Sequence, residues 1–183
     1  TLLKSQAQQI IDERYPAFPE LVQAWVREDP ALDARVRCDL ERFKSDGSPR
    51  ILHVTHQLGG GVEQHIQDLA KASWDHQQCQ SIALRPWGEE AFKIEVIGSP
   101  TDFSKILHMS EAERLVTELV AAAGIQRLHF HHYAGLPKWV LTLPEKLKLP
   151  YDVTVHDFVT ACPQFHFQDI QGRYCGRPAV EGC

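Results

Sequence analysis

The sequence lacks several features that would mark particular classes of protein. It contains no apolar run near the about 18–20 residues needed to cross a membrane, no low-complexity tract and no internal repeat. It also lacks the basic excess typical of a general nucleic-acid binder, because its net charge is −5. We therefore expect neither a membrane span nor a nucleic-acid partner. With 183 residues, of which 43% are hydrophobic and 23% charged, the composition is that of an ordinary globular protein.

The cysteines form neither an even set nor the short-spaced pairs of a structural zinc site. Five are present, and three of them cluster late in the chain at Cys162, Cys175 and Cys183. Because this is a poor match to a secreted disulfide scaffold, we expect a reducing, cytoplasmic compartment. The three thiols, with His156 or His166, could still supply four metal ligands. A metal-binding module that uses this cysteine loop therefore stays open as an alternative.

The first part of the chain, residues 1–48, has apolar residues at the spacing of one helical face. Within it, Asp29 followed by Pro30 predicts a helix start, because aspartate can cap a helix and proline is tolerated at its first position. We interpret residues 1–48 as a helical preface, which packs on the main domain or links it to a preceding one. Since the chain opens at Thr1 and closes at Cys183 in a glycine- and cysteine-rich loop, we expect it to be part of a longer protein.

Residues 49–183 alternate between short apolar runs of strand character and amphipathic helical stripes. This alternation predicts an α/β fold with an open, mainly parallel, Rossmann-like sheet flanked by helices. We predict strands at 51–55, 81–84, 93–97, 102–107, 127–130 and 151–155, and helices at 62–70, at 115–123 and over part of 136–147.

A run of three glycines, Gly59-Gly60-Gly61, follows the first predicted strand and precedes a helix. Ligands of open α/β sheets bind at the carboxyl ends of strands, where glycine lets the backbone approach them closely. The run is neither the dinucleotide fingerprint, since the glycines are consecutive, nor a P-loop, since no Gly-Lys-Ser/Thr follows. Two interpretations remain at this point: a ligand-facing loop, or a tight turn that needs glycine.

Histidines mark the ends of two later strands. Strand alternation puts His129 and His131 on one face, where two imidazoles could ligate a metal, although no third ligand with clear spacing accompanies them. We favour a polar lining of the cleft, to which His132 also belongs. His156 ends the last apolar strand, so it should lie in the same crevice, where it could donate a hydrogen bond or exchange a proton. Asp157 could orient it, and a merely structural histidine is the alternative.

Three segments in this order resemble family-four glycosyltransferases. Residues 51–65 (ILHVTHQLGGGVEQH) look like the opening strand, glycine loop and helix of that family. Residues 128–132 (LHFHH) resemble its histidine-rich strand, and residues 151–158 (YDVTVHDF), followed by Cys162 and the Cys175 loop, resemble the strand end of one bacterial branch. The resemblance covers about residues 50–183. It implies the amino-terminal, acceptor-side domain of a GT-B enzyme, in which two Rossmann-like domains face each other across a cleft.

The resemblance also implies an activity and its residues. Such enzymes transfer a sugar from a nucleotide-sugar co-substrate with retention of configuration, to a glycan or lipid-linked acceptor, and generally without a metal. His156 would be the catalytic residue that stabilises developing charge. The donor phosphate and sugar cleft would include Gly60, Gly61 and Asp157, and the acceptor side would include Glu63, His131 and His132.

By the same resemblance the donor domain, with its paired glutamates, is missing from this chain. We therefore expect the isolated chain to be inactive and to bind no cofactor by itself, and we expect its partner to be its own carboxyl-terminal donor domain. A bacterial surface polysaccharide pathway fits the branch. The alternative to this enzymatic hypothesis is a non-enzymatic α/β domain for ligand binding or interaction.

Overall fold

The structure is a computed structural model that describes residues 2–133, 135–158, 162, 166–169 and 171–176. The chain divides into two compact units, residues 1–41 and residues 42–183. Helices occupy the segment for which the apolar spacing predicted them: α1 (Leu2–Arg14), α2 (Phe18–Glu28) and α3 (Leu32–Asp46), which begins in the first unit. No helix among the described residues is long and apolar enough to span a membrane.

The helix start predicted at Asp29 and Pro30 is wrong. Asp29 instead closes α2 in a left-handed conformation, with φ +39°, and its N–H donates to the Trp25 carbonyl. Aspartate tolerates this conformation better than most residues, and the following proline disfavours a right-handed helical Asp29. The next helix therefore begins only at Leu32.

The second unit alternates strands and helices in the order that the sequence predicted. Strands β2, β3 and β5 are longer than predicted, whereas β1 and β4 are shifted by one or two residues. The last strand stops at Val153, because the chain leaves the sheet after Thr154. The elements are β1 (Arg50–Val54), α4 (Gly61–Gln77), β2 (Gln80–Trp87), β3 (Ala91–Ile97), β4 (Ser104–His108), α5 (Met109–Ala122), β5 (Ile125–Phe130), α6 (Lys138–Leu141), α7 (Leu143–Leu147) and β6 (Tyr151–Val153).

The six strands form one sheet in the order β4-β3-β2-β1-β5-β6. The pairs β2·β1, β1·β5 and β5·β6 are parallel, whereas β2·β3 and β3·β4 are antiparallel. The antiparallel edge follows from the short connection between β2 and β3, which is too short for the crossover that parallel strands need. The sheet is thus mainly parallel with flanking helices, and the predicted α/β, Rossmann-like fold is confirmed.

The core lies along the central strands and the inner face of α4. Leu52 and Val54 of β1 and Ile82 and Leu84 of β2 are fully buried, as expected for parallel strands covered on both faces. On α4, Ile66 and Ala70 pack against Ala83 and Ile97, with Val62 beside them. This packing fixes the amino-terminal turn of α4, and with it the glycine loop, next to the carboxyl end of β1.

The close approach of α4 to the sheet requires a glycine at position 98. Gly98 follows β3 with φ +69°, and a Cβ built there would lie 2.6 Å from the Ala70 carbonyl carbon and 2.7 Å from the Lys71 nitrogen. Since both contacts are with backbone, Gly98→Ala should combine left-handed strain with a steric clash. We expect a loss of about 2–5 kcal/mol in the free energy of unfolding, measured by urea denaturation.

Gly88 provides the matched control for this substitution. It also has a left-handed φ, +66°, but no atom lies within 4 Å of its built Cβ. Gly88→Ala should therefore cost only the backbone strain, about 1–2 kcal/mol. Equal losses for the two variants would contradict the packing argument.

Candidate functional site

The strand order reverses at β1, with β2 on one side and β5 on the other. In open α/β sheets such a reversal opens a crevice at the carboxyl ends of the two central strands, and ligands bind there. Seven of the ten histidines of this chain meet at that edge, each with its ring within 6 Å of another histidine ring. We call this group the histidine cluster: His53, His56, His65, His129, His131, His132 and His156.

A row of hydrogen bonds crosses the cluster through four neighbouring strands. His53 Nε2 lies 3.1 Å from Ser81 Oγ, and His53 Nδ1 lies 2.9 Å from His131 Nε2. His131 Nδ1 in turn lies 3.4 Å from His156 Nε2. Ser81 is on β2, His53 on β1, His131 directly after β5 and His156 after β6, so the row follows the strand order.

Only two arrangements of protons satisfy this row, because a neutral imidazole has one N–H donor and one bare nitrogen. In the first, which we call the inward arrangement, His156 donates to His131, His131 donates to His53, and His53 donates to the Ser81 hydroxyl oxygen. In the second, every donor and acceptor is exchanged and the Ser81 hydroxyl donates. The tautomer of each ring therefore depends on that of its neighbour.

Burial keeps the two central rings neutral. His53 and His131 are each only 1% exposed. Burial lowers the pKa of His53 to about 3, with repulsion from His129 and His65 acting in the same direction. Burial likewise lowers the pKa of His131 to about 2, and the neighbouring His129 and His53 add to the effect. At neutral pH the row is therefore uncharged, and it can pass or hold protons only as tautomers.

His156 is the exposed end of the row. Its ring centre lies 5.1 Å from that of His65, which projects from the second turn of α4 just after the glycine loop. Partial burial lowers the pKa of His156, and so do His65 and His132, while Asp157 opposes the shift. Asp157 itself pairs with His132, with 3.0 Å between Oδ2 and Nε2, a partner that the sequence did not indicate.

The glycine loop is compatible with both interpretations that the sequence left open, a tight turn that needs glycine and a loop that faces a ligand. Gly59 has φ +70°, and Gly60, the N-cap of α4, has φ +76° and ψ −149°, a region that is essentially restricted to glycine. A turn thus requires Gly60. Gly61 begins the helix without a positive φ. No described atom lies within 4 Å of a Cβ built at any of the three positions, so the loop also borders open space.

Glu63 is held by charged and polar neighbours. Its carboxylate accepts from Arg85 Nη1 at 2.6 Å and from Gln67 Nε2 at 2.8 Å. Arg85 also pairs with Glu95, which in turn pairs with Lys93 at 2.6 Å. The network connects the first turn of α4 to β2 and β3. The negative charge of Glu63 is already compensated by Arg85.

Beside the cluster lies an open cleft with a volume of about 450 Å³. Its walls are the loop after β1, the turn between β2 and β3, and the segment after β5. Gln57 spans the first two walls, since its side-chain oxygen accepts from the Gly88 N–H at 2.9 Å. Polar and apolar groups share the lining, including His56, Glu89, Leu58 and Phe92.

Two sets of three histidines in the described part of the chain have ligand nitrogens within 4.8 Å of one another: His53, His129 and His131, and His65, His131 and His156. Neither set includes a cysteine. In the cysteine loop, Cys162 Sγ accepts from the Phe167 N–H at 3.3 Å, and the Cys175 N–H donates to the Phe167 carbonyl at 2.8 Å. Cys183 lies outside the described residues, so a metal site built on these three thiols stays a hypothesis.

Sequence reasoning placed His131, His132 and His156 at one edge but missed His53, His56 and His65. His53 sits within an apolar strand, and its role depends on its register opposite His129, a pairing between distant parts of the chain. The signal for His65 was local, because it stands one turn after Gly61 on the stripe of Val62 and Leu69.

No family model matches the chain, and neither the curated proteins nor the solved structures include a match. A function must therefore be inferred from the fold and from the geometry of the crevice where the strand order reverses.

The buried imidazoles should make the protein sensitive to mild acid. His53 and His131 have lower pKa values in the folded protein than the 6.5 of the unfolded chain, so below pH 6.5 only the unfolded state takes up these protons. Their stabilisation is present above pH 6.5 and is lost as the pH falls from there towards about 3. From pH 7.5 to pH 5 we expect each ring to cost about 2 kcal/mol of stability, measured by urea unfolding with a chelator present.

His53→Asn should remove about half of the dependence that His53 and His131 cause together, because one of these two rings is gone. His129 and His65 repel the proton of His53 and so extend the same dependence to lower pH. His76→Ala is the control, since His76 lies at the exposed end of α4 outside the cluster and should leave the slope unchanged. Stability that is flat between pH 7.5 and pH 5 would contradict the prediction.

Proposed function

We propose that this chain is the acceptor-side half of a retaining GT-B glycosyltransferase, which transfers a sugar from a nucleotide-sugar to a glycan or lipid-linked acceptor. One observation carries the proposal. The three segments on which the resemblance depends, far apart in sequence, meet at the crevice where the strand order reverses. Each segment brings polar groups to the crevice. The first brings the glycine loop and His65, the second brings His131 and His132 after β5, and the third brings His156 after β6.

The position of His156 supports a role in the reaction. Its ring is exposed on the crevice side, while its inner nitrogen contacts a buried imidazole that is held in place by its own hydrogen bonds. With a lowered pKa the ring is neutral near pH 7. When its inner nitrogen Nε2 accepts from His131, as in the second arrangement of protons, its outer N–H is a donor on the crevice side. A fixed donor of this kind would stabilise charge that develops as the bond between sugar and diphosphate breaks.

The glycine loop supports a role on the donor side. The first N–H groups of a helix have no partner within that helix, and its amino terminus carries a partial positive charge. Here that terminus begins at Gly61, beside open space and without a side chain to block it. A diphosphate brought by a second domain could therefore approach the backbone of Gly60 and Gly61 closely.

The cleft of about 450 Å³ is our proposed acceptor site. It opens next to His56, whose ring lies 4.7 Å from that of His132, so the acceptor would enter beside the histidine cluster. Its mixed lining suits a sugar, which offers hydroxyl groups for hydrogen bonds and carbon faces for apolar contact with Leu58 and Pro137.

The first test is His156→Ala in the enzyme that joins this sequence to a donor domain. We expect turnover to fall by about 10²–10³-fold, because one fixed donor to the transition state is lost. The melting temperature should change little, since the ring is exposed. The measurement is release of nucleoside diphosphate from a panel of UDP-, GDP- and ADP-sugars, with His76→Ala as control. Wild-type turnover in the variant would refute the catalytic role, and no release from any donor by the wild type would favour a non-enzymatic binding domain.

The second test compares Gly61→Val with Gly60→Val. A Cβ at position 61 has no described protein atom within 4 Å, and Gly61 does not have a positive φ. Gly61→Val should therefore keep the melting temperature of the wild type. It should nevertheless weaken affinity for the nucleotide-sugar, because the side chain occupies the space meant for the diphosphate. Gly60→Val should add a stability loss of about 1–3 kcal/mol, because its backbone conformation is essentially restricted to glycine.

If the loop is only a turn, the pattern changes. Gly60→Val would then still be less stable, but Gly61→Val would bind the nucleotide-sugar as the wild type does. Calorimetric binding together with melting curves for both variants distinguishes the two interpretations.

A further inference from the structure

Three histidines from three different elements converge at the open end of the hydrogen-bonded row. His65 comes from α4, His131 from the end of β5, and His156 from the segment after β6. Each offers a ring nitrogen within 4.8 Å of the other two. We propose that these three imidazoles bind a divalent transition-metal ion, Zn²⁺ foremost, at the mouth of the crevice.

The contact between His131 and His156 is long for a hydrogen bond, and its length matches the distance between two ligands of one metal ion. His131 Nδ1 and His156 Nε2 are 3.4 Å apart, beyond the about 2.7–3.2 Å of good hydrogen bonds. Zinc–nitrogen bonds of about 2.0–2.1 Å at tetrahedral angles place two ligand nitrogens about 3.3–3.4 Å apart. These two rings are thus already at the spacing of a tetrahedral site, and rotation of the exposed His65 side chain can supply the third nitrogen.

The buried part of the row prepares His131 for this role. A metal needs the bare nitrogen of a neutral imidazole, and the opposite N–H of a ligating histidine is normally held by a hydrogen bond. In the inward arrangement His131 Nε2 donates to His53, and His53 donates to Ser81 at 3.1 Å. His131 Nδ1 is then bare and directed at His156. A metal ion would replace the proton between these two nitrogens, so that His156 coordinates through Nε2 and carries its own proton on Nδ1. Ser81 and His53 therefore set the tautomer that a metal requires.

The other set of three histidines does not compete. His53 Nδ1 and His131 Nε2 are 2.9 Å apart, which suits a hydrogen bond and is too short for two ligands of one tetrahedral zinc ion. His129 Nε2 in that set is paired with Thr154 Oγ1 at 2.7 Å. The inner rings thus serve as hydrogen-bonding support, and the outer rings are left to coordinate.

Three neutral imidazoles leave a fourth tetrahedral position, which in open zinc sites holds water or an oxygen ligand. Here that position would face the crevice beside the glycine loop. The ion would tie α4 to the ends of β5 and β6 and add positive charge where an anionic or hydroxyl-bearing ligand would enter. This inference does not rest on the proposed glycosyl transfer, because the chain by itself can be tested for metal.

The test is titration of the purified chain, first stripped with EDTA, with Zn²⁺ by calorimetry and with Co²⁺ by absorption spectroscopy. We expect one ion per chain, and a Co²⁺ spectrum typical of tetrahedral nitrogen and oxygen ligands. His65→Ala and His156→Ala, both at exposed positions, should each weaken binding by at least the about 10–100-fold that is typical when a partner of a ligand is removed. His76→Ala, on the same helix as His65, should bind as the wild type does.

Two further variants locate the ion. Ser81→Ala should lower the affinity by about 10–100-fold, because it removes the acceptor that holds the required tautomer. A double variant, Cys162→Ser with Cys175→Ser, should leave binding unchanged. Absence of binding, or binding that His65→Ala does not weaken, would overturn the proposal. So would thiolate charge-transfer bands in the Co²⁺ spectrum that vanish in the cysteine variant, since these would place the ion in the cysteine loop.

Discussion

The histidine cluster depends on one buried imidazole. His53 is 1% exposed in the central strand of a parallel sheet, where each ring nitrogen left without a partner would cost about 1–3 kcal/mol. Its partners come from both sides, Ser81 on β2 and His131 after β5. A shift of either neighbouring strand by one residue would turn the partner side chain to the other face. The polar row therefore requires the observed register of three strands, and the position of His156 follows from it.

The elements of the fold were largely predictable, because their signals are local. Apolar runs, the helical stripe of α4 and the glycine after α5 each depend on neighbouring residues, and the structure has strands and helices where these signals stand. The antiparallel edge was not predicted, although three residues between β2 and β3 leave no room for a crossover. Asp29 was misjudged because the same residue type can begin a helix or end one, and here its left-handed backbone ends α2.

The site was only partly predictable, since it depends on contacts between distant parts of the chain. The carboxyl ends of parallel strands share one edge, and that rule alone brings His131 and His156 together. It does not tell which strand lies beside β1, and so it could not give the pairing of His53 with His131. At Gly60 the sequence offered a turn or a ligand-facing loop as alternatives. The structure shows a backbone that requires glycine and a loop that borders open space, so the ligand-facing interpretation stays a prediction.

Burial has opposite consequences for stability and for chemistry in this cluster. Desolvation lowers the pKa values of His53 and His131, and repulsion between neighbouring imidazoles adds to the effect, so these two rings remain neutral well below the usual histidine range. The folded state consequently becomes less stable in mild acid. The same neutrality supplies what a ligand site at neutral pH needs, namely bare nitrogens and N–H donors of fixed direction. The row therefore begins in the core, where hydrogen bonds fix His53 and His131, and it ends at the crevice with the exposed ring of His156.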